Sequence, residues 1–271
     1  MATSTIRHPA VAGQFYPRDA AVLQKELASY LLPDAHPTPA FGCIVPHAGY
    51  MYSGHVAGAV YSQIDIPRTC VLLCPNHTGV GRALSIVTDG AWETPLGSVP
   101  VYAELADALR DECPLLFDDP GAHRSEHAIE VQLPFLQARR GDFRFVPIAV
   151  GTSHLDDLQA LGHALGEVLA ARGEPTLVVA SSDMNHYESD QVTRLKDHKA
   201  LDCILALDPT GLYDVVMNEN ISMCGYGPAI VMLTSSLRLG AKRAELIKYA
   251  TSGDVSGDRR TVVGYAGVAI R

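Results

Sequence analysis

No CxxC pair occurs in the 271 residues. The six cysteines (Cys43, Cys70, Cys74, Cys113, Cys203 and Cys224) are scattered, several of them inside apolar runs. The chain therefore offers no cluster for an iron–sulfur centre and reads as a set of mostly free, buried thiols in a reducing compartment. No apolar run approaches the length that spans a bilayer. The N-terminal stretch MATSTIRHPAVAGQFYP lacks an apolar core followed by a cleavage site, so it does not read as a signal peptide. These absences together predict a cytoplasmic protein. Positive charge is also scarce: 21 Lys and Arg stand against 30 Asp and Glu, a formal net charge of -9. With no basic block, neither nucleic acid nor an anionic membrane is expected as a partner. Walker A, GxGxxG and GxSxG patterns are missing, as are internal repeats and low-complexity linkers. The Pro-rich stretch 33–40 is short enough to be a loop.

What is present is a 47% hydrophobic, 19% charged chain, long enough for a sizeable core. Runs rich in Val, Ile and Leu predict strands at 41–45, 69–74, 84–88, 143–150, 176–181, 245–250 and 261–270. Apolar spacings of three and four predict helices at 19–32, 54–63, 101–112, 126–140, 155–172, 190–207 and 225–239. Strands alternating with helices imply crossover connections. The expected fold is a single α/β domain over 1–271, with a mostly parallel central sheet and helices on both faces.

Ligands of open parallel sheets sit at the carboxyl ends of the strands. Three of the predicted strands stop on an imidazole: His47 in VPHAGYMYSGH, His77 in CPNHTG, and His186 in SSDMNHY, where Asp183 precedes it. Neutral imidazole is a common ligand for zinc, copper and iron. Gly49 and Gly79 follow the first two histidines by two residues and leave room for a ligand. Each histidine taken alone could equally bond a loop carbonyl. Asp183 and His186 could orient each other for general acid–base chemistry, or Asp183 or Asn185 could cap the helix near 190.

Cys224 lies in ISMCGYGPAIVML, just before a predicted helix with Pro228 in its first turn. The helix dipole there should lower the thiol pKa, favouring a thiolate that is both nucleophile and soft metal ligand. The other reading is a small residue in a tight turn. The segment HRSEHAIEVQ fits H-x-x-E-H, a metalloprotease pattern. Pro120 and Gly121 precede it, however, and Ser125 reads as the N-cap of a helix starting at Glu126. His123 would then fall outside that helix, while Glu126 or His127 could face the strand-end rim. The stretch 251–260 reads as a hairpin loop or part of a lid.

RHPAVAGQFYP, VPHAGYMYSG, CPNHTG, SEHAIEVQLPFLQ, SSDMNHY and CGYGP, in this order, resemble the Memo-like family. That family includes the bacterial AmmeMemoRadiSam system protein B and the eukaryotic mediator of cell motility. The resemblance implies a fold similar to class III extradiol (LigB-type) dioxygenases, which hold non-haem Fe(II) with two histidines and a glutamate. By motif, His47, His77 and Cys224 match the metal ligands, cysteine standing where those dioxygenases have glutamate. His186 matches the acid/base histidine, with Asp183 beside it, and Phe15, Tyr50, Tyr52 and His127 are expected around the pocket. The implied cofactor is Fe(II), with copper or zinc also suited to a thiolate. The implied function is a metal-dependent, dioxygenase-like oxidoreductase. The alternatives are a non-catalytic module binding a peptide or metal, and an accessory partner of a radical-SAM and AMMECR-type system. A small molecule or a peptide is the expected pocket ligand.

Overall fold

The computed structural model describes residues 5–271; residues 1–4, where the expected 1–271 unit and the N-terminal stretch begin, lie outside the described residues. The strands, in chain order, are β1 (Ile6–Arg7), β2 (Gly42–Val45), β3 (Thr69–Pro75), β4 (Leu84–Ile86), β5 (Ala91–Thr94), β6 (Gly97–Pro100), β7 (Phe117–Asp118), β8 (Arg144–Val150), β9 (Thr176–Ser181), β10 (His186–Glu188), β11 (Ala244–Thr251) and β12 (Val262–Ile270). The helices are α1 (Ala20–Tyr30), α2 (Tyr50–Gln63), α3 (Ala103–Glu112), α4 (Pro120–His123), α5 (Leu133–Arg139), α6 (Leu155–Arg172), α7 (Asp190–Leu205), α8 (Pro209–Asn218), α9 (Tyr226–Arg238) and α10 (Ser252–Ser256).

The main sheet runs β10-β12-β2-β9-β3-β8-β4-β7, with β11 pairing β12 on the far side. Its centre, β2-β9-β3-β8, is parallel, as continuous apolar runs demand. Antiparallel pairs flank it: β12 with β2 on one side, β4 with β8 on the other. The sheet is thus mixed around a parallel core.

Both faces are covered, and side chains alternate between two hydrophobic clusters with the period of two that a pleat imposes. On β3, Val71 and Leu73 join one cluster, while Cys70, Leu72 and Cys74 join the other. On β9, Val178 and Ala180 face the first, Leu177 and Val179 the second. The first cluster holds residues of α3, α6, α7, α8 and α9; the second holds residues of α1, α2 and α5. Helix α9 is buried from Gly227 to Ser236. It approaches α6 closely because Gly162 has no Cβ; one built there would lie 2.6 Å from Thr234 Cβ.

Several expected elements differ in detail. Helix α2 starts at Tyr50 rather than 54, directly after Gly49. The helix expected over 126–140 is confined to α5, preceded by a single 3-10 turn, Glu130–Gln132. The reason is chemical. The Arg7 guanidinium takes the carbonyls of His123 and Glu126, each at 2.7 Å, and a helix starting at Glu126 would need the second for its own ladder. Ser125 therefore caps no helix. The stretch 251–260 is indeed a hairpin loop, between the paired strands β11 and β12, and it folds into α10 behind a capping box of Thr251 and Asp254. A small second sheet, β1-β5-β6, pins the N-terminal segment.

Candidate metal centre

His47, Asp183 and His77 each lie two residues past the last residue of β2, β9 and β3. Those three strands are neighbours in the sheet, in that order. Strands about 4.8 Å apart therefore deliver three chemistry-bearing side chains to one rim. Cys224 joins them from the turn that starts α9, where Gly225 is the N-cap.

The side chains converge. The rings of His47 and His77 are 5.1 Å apart, and Cys224 Sγ lies 3.2 Å from His47 Nε2. One ligand atom from each of His47, His77 and Cys224 falls within 4.8 Å of the others. A tetrahedral site with ordinary metal–nitrogen and metal–sulfur bonds separates N and S by roughly 3.6 Å. The observed set needs only small adjustment to close on an ion.

The hydrogen bonds behind the rings decide which nitrogens are free. Ser181 Oγ donates to the Ala128 carbonyl at 2.6 Å. The same oxygen then accepts from His47 Nδ1 at 3.0 Å and from Gln132 Nε2 at 2.8 Å. His47 thus carries its proton on Nδ1 and keeps the Nε2 lone pair. On the other ring, His77 Nδ1 donates to Glu126 Oε1 at 3.0 Å, and the His77 backbone N–H donates to Oε2 at 2.7 Å. In the neutral ring its Nε2 is likewise bare. This is the outer-shell arrangement that orients metal-binding histidines: the far nitrogen on a hydroxyl or carboxylate, the near one on the metal.

Electrostatics agree for His47, whereas for His77 they favour the charged ring, which must shed its Nε2 proton to take a metal. Burial, reinforced by His77 and His127, pushes His47 well below the ordinary imidazole value, so it is neutral. For His77, burial works downward, but the Glu126 hydrogen bond and charge prevail and raise it. Burial disfavours the Glu126 charge; the His77 contacts and the backbone N–H groups of Ala128 and His77 outweigh it and bring the carboxyl down to about 2. Cys224 departs from expectation. Loss of water and the nearby Asp183 carboxylate push its thiol up, overriding the helix N-terminus and the Asp183 N–H that donates to Sγ at 3.3 Å. Only a cation at the site would make it a thiolate.

His77, Glu126 and His127 form a second cluster that could hold a metal. There Glu126 already accepts the Ala128 N–H at 2.9 Å besides both His77 groups. Its oxygens are engaged in holding His77, and the first cluster is the better donor set.

The remaining expected residues divide. Asp183 is buried and accepts the His47 backbone N–H at 2.8 Å. Burial raises its pKa, while that N–H and His186 oppose the rise. His127 stacks on His77 at 4.9 Å, and Phe15 lies against it at 4.7 Å, forming one wall. Tyr52 packs with Val56, Ala250 and Tyr265. Tyr50 turns into the core instead, on Phe135 and Tyr16, with its hydroxyl on the Val131 carbonyl at 2.6 Å. His186 opens β10, with Nδ1 2.8 Å from the Ser222 carbonyl. His123 points away, its Nε2 on the Ser85 carbonyl at 3.2 Å, so the H-x-x-E-H histidines share no helical face.

Glu126, Ser181 and Gln132 were not expected as supports. Glu126 alone carried a signal: an acid four residues into the quoted block, next to His127. A cavity of about 520 Å³ lies at the opposite end of the central strands beside Phe41, Pro67 and Thr176, and holds none of these residues. Among the described residues, no helix is long and apolar enough to cross a membrane.

Fold and site define an α/β protein with a candidate two-histidine, one-cysteine metal centre at the carboxyl ends of its parallel strands. Residues 7–269 match the model of the Memo-like protein family, and the chain belongs to that family. A MEMO1 family protein of Methanopyrus kandleri is 45% identical over 279 residues, covering 98% of this chain and 99% of its own. One from Methanothermobacter thermautotrophicus is 42% identical over 273 residues, covering 96% and 99%. Among solved structures, the uncharacterized protein JW3007 from Escherichia coli K12 shares the fold, with a TM-score of 0.53 at 13% identity over 84% of this chain and 98% of that one.

Proposed function

We propose that His47, His77 and Cys224 hold a divalent or redox-active metal, and that the protein is a metal-dependent, dioxygenase-like oxidoreductase acting on a small molecule. The observation that carries this reading is the pair of bare Nε2 atoms beside one sulfur, each ring held from behind by its own acceptor. Two imidazoles and a thiolate suit iron, copper or zinc; Fe(II) is the ion the dioxygenase-like architecture favours. When bound, such a metal supplies Lewis-acid or redox activation. The chain's own groups do the rest. His186, with its proton on Nδ1, offers Nε2 as a base toward a substrate hydroxyl. Asp183 accepts the His47 backbone N–H and so fixes that backbone beside the site. Phe15 and His127 present flat walls to a ring or chain.

The test is anaerobic loading with Fe(II), followed by metal analysis and oxygen uptake with a panel of phenols. One iron per chain, and uptake that His186→Ala abolishes, is the expected result. Bound iron without uptake would remove the oxidoreductase reading and leave a metal-binding module. No bound iron, copper or zinc would remove both.

A further inference from the structure

We infer that Asn185 and Ser222 are positioning residues that hold the His186 ring in a single tautomer, leaving Nε2 free for proton transfer; its use in proton transfer rests on the reading of His186 given above. Asn185 is fully buried, and each of its polar groups is engaged. Its backbone N–H donates to Asp197 Oδ1 at 2.8 Å, and its carbonyl accepts from Gly264 N–H at 2.9 Å. Its Nδ2 donates to Glu188 Oε2 at 2.7 Å. Those bonds fix the amide orientation, so Oδ1 faces Ser222, accepting its N–H at 3.1 Å and lying 3.1 Å from its Oγ.

Ser222, so held, meets His186 at three points, one of them its Oγ 3.3 Å from the His186 carbonyl. Its Oγ accepts the His186 backbone N–H at 2.8 Å, and its carbonyl sits 2.8 Å from His186 Nδ1. A carbonyl can only accept, so Nδ1 carries a proton, and in the neutral ring Nε2 is bare. Among the described residues, nothing hydrogen-bonds Nε2.

The backbone at this point is strained in support of that aim. The register of β10 against β12 shifts between His186 and Glu188. Tyr187, between them, has φ 61 and is 76% exposed. A bulky residue in the left-handed region costs free energy and persists only where its surroundings over-determine it. A bulge is also a device for re-aiming a side chain. Hydrogen bonds of His186 and Asn185 to Ser222 hold the strained turn from one side. Cys224 lies two residues after Ser222, and its sulfur accepts the Asp183 N–H at 3.3 Å. The proton-transfer group and the sulfur ligand therefore ride on one hydrogen-bonded pair of loops.

The test uses the full chain labelled with ¹⁵N-histidine and loaded with zinc, a diamagnetic probe, and reads tautomers by long-range ¹H–¹⁵N correlation. The parent should show His186 as the Nδ1–H form. Asn185→Ala, and the milder Ser222→Ala at an exposed position, should shift the ratio toward Nε2–H by about tenfold, what one hydrogen bond is worth. His47 should stay in its Nδ1–H form in both variants, because its acceptor is Ser181. An Nε2–H pattern in the parent, or an unchanged His186 pattern in a folded Ser222→Ala and Asn185→Ala, would overturn the inference. Zinc content is read on the same samples. Its absence from the parent would count against the metal reading alone, because the His186 pattern needs no bound metal.

Discussion

Replacing Glu126 by glutamine tests the support of the candidate metal centre without touching a proposed ligand. The carboxylate faces only donors: the His77 and Ala128 backbone N–H groups and His77 Nδ1, with His127 Nδ1 at 3.4 Å. Glutamine keeps the volume but turns one oxygen into an amide with no acceptor to meet. One of the His77 bonds must then fail. If Nδ1 loses its acceptor, the ring can rotate or shift its proton to Nε2, where the metal would bind. Loss of such an outer-shell partner costs roughly 10- to 100-fold in metal affinity, or about 1.4 to 2.8 kcal/mol. The assay is zinc competition against a chromophoric chelator near neutral pH. The acid limb supplies an independent readout. The folded carboxyl titrates at about 2, below the ordinary 4.5. Its stabilisation, on the order of 3 kcal/mol, is present above the unfolded value and lost as pH falls toward the folded one. Glu126→Gln should lack that acid-side loss. A folded variant with unchanged zinc affinity would refute the argument that Glu126 holds His77 for metal.

Two other substitutions probe the frame around the site. A Cβ on Gly225 would sit 2.5 Å from the Ser181 carbonyl oxygen, so Gly225→Ala should destabilise by about 1 to 3 kcal/mol and lower zinc stoichiometry by displacing Cys224, as read by urea unfolding and metal analysis. Burial pushes Asp197 up to about 6, against the Tyr249 hydroxyl and the Asn185 N–H. Between the ordinary 3.8 and that value the folded state holds a proton that the unfolded state releases. Stability should therefore fall as pH rises through this window, by about 3 kcal/mol in total. Asp197→Asn should flatten that slope in unfolding curves taken at a series of pH values.

The central strands were legible because strands covered on both faces need uninterrupted apolar residues, and β2, β3 and β9 have them. Their ends were legible for the same reason: His47, His77 and Asp183 interrupt that pattern where backbone leaves the sheet. Short pieces were not. β1, β7 and β10 have two or three residues each and carry no periodicity, while α8 lay in a stretch with no assigned element. The helix expected from Glu126 failed where a residue far away in the chain, Arg7, takes the Glu126 carbonyl. Tyr50 was expected beside the site from its place in VPHAGYMYSG, but the early start of α2 turns it into the core. The sulfur pKa went the opposite way from the dipole argument, because desolvation and Asp183 act at closer range than the helix end.

X-ray absorption at the metal edge, on zinc-loaded parent and Cys224→Ser, tests convergence most directly. One sulfur and two imidazole nitrogens in the parent, with the sulfur gone and affinity much reduced in the variant, is the result this structure predicts. A parent spectrum with no sulfur neighbour, or a variant that binds zinc as tightly as the parent, would contradict it.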